Sequence, residues 1–449
     1  MNKKTLTNSE TLTIGLMLFA LFLGAGNLIF PPYLGQLAGD QLLLAIFGFL
    51  LTGVGLPLLG ILAIAKAGGD LQSIAGRVHP VFGIVFTMIV YLAIGPFFGI
   101  PRTATVAFEI GTAPFLTAGL ASSFWSLFLF TIIFFTITVL FALNPTKLVD
   151  RIGKILTPIL IVVIGFLAVK SFLTPMGPIG APVGNYDTEA FFESFLQGYL
   201  TMDAIAALVF GIVIIQSIRA KGVEDKNVIL KTTAYAGFIA ATGLSLVYLS
   251  LSYIGATSVE AVGMQENGGA VIALAARVLY GEIGGFILAL AITFACLTTS
   301  IGLVSATSQF FNKIFPQLSY IVYVFIFAGF SAIIANVGLT QLIAISLPVL
   351  LAIYPLAIVL VILSFFDRSF YQKPYVYIIP LVLTGIISIF DALKSSGFEF
   401  AAASQLFSYL PFYEQGIGWL MPAVIGTIIG MIIARMSHKP NSPRKQTAQ

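Results

Sequence analysis

The chain has 449 residues, of which 58% are hydrophobic and only 9% are charged, and its mean hydropathy is +1.03. This composition excludes a soluble globular domain and indicates a helical membrane protein with many spans. A transmembrane barrel is excluded because its strands would alternate polar and apolar residues. The net charge of +4 collects in loops, which disfavours a nucleic-acid partner. The single cysteine, Cys296, allows no internal disulfide, and the N-terminus lacks the pattern of a cleaved signal peptide.

Apolar runs separated by short polar breaks predict twelve membrane-spanning helices. The predicted spans are 11–37, 41–65, 80–110, 121–142, 152–172, 191–217, 228–254, 281–311, 319–336, 341–366, 374–391 and 417–436. The chain is therefore predicted to be a single membrane transport domain (1–449). Its parts are a first five-helix repeat (11–172), a second (191–366), two extra helices (374–436) and a polar, basic tail (437–449).

The distribution of basic residues predicts the orientation. If the N-terminus is cytoplasmic, every lysine and arginine falls on the cytoplasmic side except Arg102, Lys170, Arg277 and Lys394. Both termini are then cytoplasmic. The predicted outer loops are longer and acidic or neutral, and residues 271–280 are predicted to form a short outer surface helix, because they are too few to cross a bilayer.

The first span carries its own helix breaker. The segment Gly-Ala-Gly-Asn (24–27) interrupts an apolar run that starts at Gly15, and Pro31-Pro32 follow it. Glycine lowers the cost of leaving the helix and proline lacks an N–H donor, so an unwound segment at mid-depth is predicted. Freed carbonyls there can hold a cation, and N–H groups of the half-helix starting near Gly26 can hold an anion. The alternative is a glycine surface for close helix packing.

The sixth span contains Asp203 near the bilayer centre, flanked by Gly198 and Thr201. A lone charge there costs at least about 3 kcal/mol, so a cation, an ammonium group, water or a proton must compensate it. The alternative is a protonated Asp203 hydrogen-bonded to a neighbouring helix. Spans 1 and 6 start five spans apart and run in opposite directions. Interrupted helices at matching positions of two inverted repeats indicate the midplane site of a secondary transporter.

Two further patches are polar. Span 8 contains Thr298-Thr299-Ser300, whose hydroxyls either bond back to the preceding turn or bind a small hard cation. Span 3 contains Gly-Pro-Phe-Phe (95–98), then Arg102 and Glu109, which lie on one helical face in the predicted outer half. Those two residues either pair or contact neighbouring helices, in a structural or a gating role.

Catalytic and nucleotide-binding motifs are lacking. The two histidines, His79 and His438, lie at predicted cytoplasmic edges, and no zinc-protease, nucleophile-elbow or Walker motif is present. The chain is therefore predicted not to be an enzyme, and any uphill transport would be driven by an ion gradient.

Three motifs together resemble the bacterial branched-chain amino acid:cation symporter family. They are Gly-Ala-Gly-Asn-Leu-Ile-Phe-Pro-Pro (24–32), Gly-Pro-Phe-Phe-Gly-Ile-Pro-Arg-Thr-Ala-Thr (95–105) and Gly-Tyr-Leu-Thr-Met-Asp-Ala (198–204). The resemblance extends from span 1 to the tail. It implies Na⁺-coupled uptake of leucine, isoleucine and valine across the bacterial cytoplasmic membrane by alternating access. It also implies an all-α fold like that of the leucine transporter, a 5+5 inverted repeat plus two helices, with no obligate protein partner.

The fold resemblance further implies ligands. Backbone N–H groups of Ala25 and Gly26 would bind the substrate carboxylate, and the carbonyls of Phe22, Leu200 and Thr201 would receive the ammonium group. The implied substrate-binding set is Phe22, Ala25, Gly26, Asn27, Leu200, Thr201 and Asp203. One Na⁺ would be held by the carbonyls of Ala20, Leu23 and Ala295 and by the hydroxyls of Thr298 and Thr299.

Some assignments remain open. A second ion near Asn27 and Thr201 has no identifiable partner in span 7, and Phe97 and Phe98 are candidates for an aromatic gate. Asp203 would pair with the ammonium group or an ion. Proton coupling with Asp203 as the relay is the alternative mechanism. A channel or membrane-embedded enzyme is disfavoured, because the polar positions cluster at mid-depth instead of forming a continuous stripe.

Overall fold

The computed structural model describes residues 5–67, 69–143, 145–367, 373–398 and 400–436, and within 145–157 only the backbone. These ranges are helical and contain no β-strand. The α-helices are α1 Asn8–Phe22, α2 Ala25–Ala38, α3 Leu42–Leu50, α4 Leu56–Ala67, α5 Leu71–Ala75, α6 Pro80–Leu92, α7 Gly99–Gly111, α8 Ala118–Ala121, α9 Phe124–Ala142, α10 Pro145–Leu173, α11 Tyr186–Leu200, α12 Asp203–Ala220, α13 Lys226–Val262, α14 Gly268–Ile314, α15 Tyr320–Ala335, α16 Leu339–Phe365, α17 Tyr375–Ser395, α18 Ala401–Phe407 and α19 Leu420–Met436.

Every predicted span coincides with one helix or with consecutive helices. In the described part of the chain, eight helical segments are long and apolar enough to cross a membrane. Four shorter apolar helices accompany them: Asn8–Phe22, Pro158–Leu173, Tyr320–Ala335 and Leu420–Met436. The all-helical membrane architecture is confirmed, and the count of twelve crossings stays a prediction.

The first span is interrupted where the glycines predict it. Helix α1 ends at Phe22, and α2 begins at Ala25 after an extended Gly24 (φ −105°, ψ −168°). Pro31 and Pro32 lie inside α2. The interruption therefore comes from the glycine and not from the prolines.

The sixth span is interrupted as well. Helix α11 ends at Leu200 and α12 begins at Asp203, with Met202 in a left-handed conformation (φ 63°). A non-glycine residue in this region is uncommon and costs on the order of 1–3 kcal/mol, which the surrounding packing must offset. Backbone strain of this kind clusters at functional sites.

The third span contains a break that the sequence analysis did not predict. A π-helical turn covers Ala93–Phe97, in which Gly95 is non-helical (ψ −122°), and α7 starts only at Gly99. Pro96 removes one N–H donor at this point. Because of the break, Arg102 lies near the start of a new helix that is separated from α6.

Span 8 and the predicted surface helix form one long element, α14, which bends at Gly281 (φ 66°). Close helix packing, the alternative explanation for the glycines of span 1, also occurs, but further along α2. A Cβ added to Gly35 of α2 would lie 2.0 Å from the carbonyl oxygen of Ser252 in α13. The glycines near span 1 therefore serve two purposes, unwinding at Gly24 and tight packing of α2 against α13.

Candidate functional site

A buried cavity lies where the two interrupted spans meet. Its volume is about 40 Å³, enough for about three water molecules, so a ligand of amino acid size requires the helices to move apart. The lining residues come from both interruptions, α7, α12 and α14: Leu21, Phe22, Gly24, Ala25, Gly26, Asn27, Ile94, Gly99, Arg102, Thr103, Thr201, Met202, Asp203, Ala206, Phe210, Thr299 and Leu303.

The two interruptions touch at Gly26. A Cβ on this residue would lie 3.1 Å from both the Cα and the carbonyl oxygen of Thr201, which are backbone atoms with little freedom to move. Only glycine therefore lets the start of α2 approach the end of α11 this closely.

Substituting Gly26 with alanine tests this contact. We expect Gly26→Ala to lower the free energy of unfolding by about 1–3 kcal/mol through overpacking and to reduce ligand binding in the cavity. Thermal unfolding in detergent measures the first effect. The matched control is Gly329→Ala in α15, where no atom beyond the adjoining backbone of the same helix lies within 4 Å of the added Cβ. Wild-type stability and wild-type binding in Gly26→Ala would contradict the contact.

Asp203 is the centre of a buried hydrogen-bond network. Its Oδ2 accepts from Nδ2 of Asn27 (2.6 Å) and from the hydroxyl of Tyr248 (2.7 Å), and Asn27 also donates to that hydroxyl. Oδ1 of Asn27 in turn accepts from the N–H of Gly24 (3.0 Å). The carboxyl group stands at the N-terminus of α12, where the helix dipole favours negative charge. The network therefore joins both interruptions to α13.

Tyr248 is a site residue that the sequence analysis missed. It is fully buried in span 7, and its hydroxyl donates a hydrogen bond to Asp203. The available signal was a hydroxyl in an apolar span, which needs a hydrogen-bond partner. Span 7 holds three tyrosines, at positions 235, 248 and 253, so this signal does not single out one of them.

Arg102 is the second residue whose role was missed. Its guanidinium does not pair with Glu109; it donates to the carbonyl of Leu200 and, through Nη2, to Oγ of Ser346 (2.9 Å). The guanidinium carbon lies 5.3 Å from the centroid of the Phe30 ring. Of the two options for Arg102, contact with neighbouring helices is the one observed. The Leu200 carbonyl, predicted to receive ammonium, is thus already engaged, although its oxygen has a second lone pair.

The unwound end of α1 releases backbone carbonyls. In a continuous helix the N–H of Gly24 would bond the Ala20 carbonyl, but it donates to the Phe22 carbonyl instead (2.6 Å). Leu23, with ψ 75°, also lies outside the helical ladder. Thr299 of α14 reaches this point, because its Cγ2 is 3.4 Å from the Cβ position of Gly24. The structure therefore places Thr299 of span 8 beside the unwound end of span 1, with its methyl group nearest to Gly24.

The neighbouring hydroxyls of α14 point in different directions. Thr298 donates to the Ala295 carbonyl (2.8 Å), which is the back-bonding alternative, while its oxygen lone pairs stay available. Ser300 accepts a hydrogen bond from Thr138 of α9 (3.3 Å). Among the described residues, no group of three or more His, Cys, Asp or Glu side chains could hold a metal ion. Cation binding here would therefore depend on carbonyls and hydroxyls.

The gate candidates are not at the cavity. Phe97 and Phe98 are absent from its lining, and Phe97 packs edge-on against Phe330 of α15 (centroids 5.2 Å apart). The predicted aromatic gate has no support from this arrangement.

Comparison with known proteins identifies the family. The sequence model described as "Branched-chain amino acid transport protein" matches residues 7–437. The chain belongs to this family. It is thus an integral membrane transport protein and not an enzyme, in agreement with the prediction.

Two curated relatives align with this chain over nearly its whole length. The branched-chain amino acid permease BraB of Bacillus subtilis is 50% identical over 432 residues, which are 96% of this chain and 97% of BraB. The permease BrnQ of the same organism is 50% identical over 433 residues, 96% of this chain and 98% of BrnQ. The predicted family resemblance is therefore confirmed.

A solved structure shares the fold. Mhp1, a nucleobase-cation-symport-1 family transporter in a closed conformation with bromovinylhydantoin bound, aligns with a TM-score of 0.63. The alignment covers 96% of this chain and 94% of Mhp1 at 11% identity, so it shows the fold alone. It confirms the predicted leucine-transporter-like architecture.

Proposed function

We propose that this chain is a Na⁺-coupled symporter that imports leucine, isoleucine and valine across the bacterial cytoplasmic membrane by alternating access. The observation that carries the proposal is the pair of interrupted helices around one buried cavity, with the carboxyl group of Asp203 beside the freed backbone of α1 and α2. The printed names of the relatives, branched-chain amino acid permeases, support the substrate class.

The substrate would lie between the two interruptions. Its carboxylate faces the first-turn N–H groups of Ala25 and Gly26, which have no intrahelical acceptor. Its ammonium group faces Asp203, the hydrogen-bonding network of Asn27, and the carbonyls of Phe22, Leu200 and Thr201. Pairing both charges is necessary because an unpaired charge in a buried site is strongly unfavourable.

The rest of the cavity wall is apolar and suits an aliphatic side chain. It is formed by Leu21, Ile94, Ala206, Phe210 and Leu303. Such a wall discriminates by size only weakly, by about 1–3 kcal/mol per methylene group. The three branched-chain amino acids should therefore compete for one site.

The coupling ion would join span 1 to span 8. Its ligands in this proposal are the carbonyls of Ala20, Leu23 and Ala295 with the hydroxyls of Thr298 and Thr299. Sodium binding would hold α14 against the unwound end of α1, and that same unwound segment lines the substrate cavity. This shared segment gives the physical basis for coupling.

Polar contacts join neighbouring elements at both ends of the bundle. At the predicted cytoplasmic end, ion pairs join Glu10 to Lys221 (3.3 Å) and Asp70 to Lys313 (3.5 Å). At the opposite end, the Gln36 amide donates to Ser258 Oγ (3.0 Å) and ties α2 to the end of α13. Exposed ion pairs contribute only about 0–1 kcal/mol each, so the cytoplasmic contacts can break during transport.

Reconstituted transport tests the proposal. The purified full chain in proteoliposomes is expected to accumulate labelled leucine when an inward Na⁺ gradient is imposed, with isoleucine and valine competing. A Li⁺ or H⁺ gradient imposed alone, in Na⁺-free buffer, is the control. Accumulation driven by a pH gradient without Na⁺ would replace sodium coupling by the proton-coupled alternative, in which Asp203 is the relay. Absence of leucine accumulation under every gradient would overturn the substrate assignment.

A further inference from the structure

Arg102 is a buried cation that has no acidic partner among the described residues. Its residue is only 2% exposed, and both observed guanidinium contacts are to uncharged acceptors, the Leu200 carbonyl and the Ser346 hydroxyl. A buried charge is expensive unless an opposite charge and hydrogen bonds compensate it. Two neutral acceptors and the Phe30 ring provide only part of that compensation.

The guanidinium also retains unused donors. Nε of Arg102 is buried without a hydrogen-bond partner, and a guanidinium carries more N–H donors than its two observed bonds use. Arg102 lines the same cavity as Gly26 and Asp203. A planar fork of free N–H groups is the geometry that binds a carboxylate through two parallel hydrogen bonds.

The cavity therefore has one cationic and one anionic side chain in its wall, Arg102 and Asp203. Within the described ranges no ion pair joins them, and Asp203 is held by Asn27 and Tyr248 instead. A ligand without charged groups would leave both charges uncompensated, and a simple anion or cation would leave one of the two charges uncompensated. A zwitterion, which carries both a carboxylate and an ammonium group, compensates both.

From this arrangement we infer that Arg102, together with the first-turn N–H groups of Ala25 and Gly26, binds the carboxylate of a transported α-amino acid while Asp203 binds its ammonium group. The inference rests on the proposed function, because it assigns a recognition residue to the same site. The carboxylate would share the guanidinium with, or take it from, the Leu200 carbonyl, since charge-assisted hydrogen bonds are about twice as strong as neutral ones. Release of that carbonyl would make it available to the ammonium group.

A variant-by-ligand comparison tests the inference. Leucine and leucinol both carry the ammonium group and the aliphatic chain, but leucinol lacks the carboxylate. Binding to the full chain in lipid nanodiscs is measured by displacement of labelled leucine or, for weak variants, by thermal stabilisation. Arg102→Gln is expected to weaken leucine binding by about 10- to 100-fold, the range for lost charge-assisted hydrogen bonds, and to change leucinol binding by less than about twofold.

The matched control distinguishes carboxylate binding by Arg102 from a purely structural role of this residue. Ser346→Ala removes one bond of the guanidinium and keeps its charge, so it should weaken leucine and leucinol binding by similar, small factors. If Arg102→Gln also weakens both ligands equally, or leaves leucine binding unchanged, Arg102 is a structural brace and the inference fails. If wild-type protein does not bind leucine, the proposed function itself fails.

A second measurement needs no substitution and decides the case if Arg102→Gln does not fold. Wild-type protein with ¹⁵N-labelled arginine is saturated with leucine carrying a ¹³C carboxyl group, and dipolar recoupling is measured by solid-state NMR. Bound as inferred, the carboxyl carbon lies within about 4 Å of a guanidinium nitrogen, as hydrogen-bonded carboxylates do. Arg102 is the arginine that lines the cavity. Absence of recoupling at saturating leucine would overturn the inference.

Discussion

Replacing Asp203 with asparagine is expected to abolish leucine binding and uptake. Asparagine has nearly the same shape and can still accept from Asn27 and Tyr248, which bond Oδ2 of the aspartate (2.6 and 2.7 Å). It lacks the negative charge that the ammonium group requires. Removing one partner of a buried charge pair costs about 3–5 kcal/mol, which corresponds to a loss of affinity of at least about 100-fold. Equilibrium binding of labelled leucine to purified protein measures the effect.

The control substitution is Asp40→Asn, the same chemical change at an exposed position just after α2. It should leave binding and uptake at the wild-type level. Asp203→Glu keeps the charge on a longer side chain and is expected to retain part of the affinity. Wild-type leucine affinity in folded Asp203→Asn would remove Asp203 from the substrate site.

The same variant separates sodium coupling from proton coupling. If Asp203 carries the coupling proton, Asp203→Asn loses accumulation driven by a pH gradient but still exchanges internal for external leucine. If Asp203 binds the ammonium group, exchange is lost together with accumulation. Measuring counterflow in proteoliposomes preloaded with leucine therefore distinguishes the two roles.

The helix interruptions are predictable from sequence because their causes are local. The backbone of Gly24 leaves the helix at little energetic cost. Asp203 places a carboxyl group at mid-span, whose charge must be compensated by polar or charged groups. Counting spans then predicts the inverted arrangement. Met202 shows the limit of this reasoning, since its left-handed conformation is imposed by packing and not by its own preference.

The partners of Asp203 and the position of Arg102 depend on contacts distant in sequence. Tyr248 is 45 residues from Asp203, and no local pattern distinguishes it from the other tyrosines of α13. Arg102 of α7 follows the break at Gly95 and reaches the carbonyl of Leu200 at the end of α11. Its spacing to Glu109 on the same helical face does not indicate this contact.

Removing the two hydroxyls of Thr298 and Thr299 is expected to weaken Na⁺ dependence strongly. In the proposed ion site each hydroxyl replaces part of the hydration shell of Na⁺, and a neutral dipole facing a buried charge contributes about 1.5–3 kcal/mol. Thr298→Ala together with Thr299→Ala should therefore raise the Na⁺ concentration for half-maximal leucine uptake by about 100-fold or more. Leucine uptake in proteoliposomes at increasing Na⁺ concentration provides the measurement.

Ser300→Ala is the matched control, because this hydroxyl lies next in sequence but contacts Thr138 of α9. It removes an oxygen from the same helix and should leave the Na⁺ dependence unchanged. Thr299 contacts the Gly24 region and lines the cavity, whereas Thr298 bonds back to Ala295, so the single variants should show a larger effect for Thr299. Equal, small effects of all three substitutions would mean that the hydroxyls only back-bond along α14, and the coupling ion would then have to bind elsewhere.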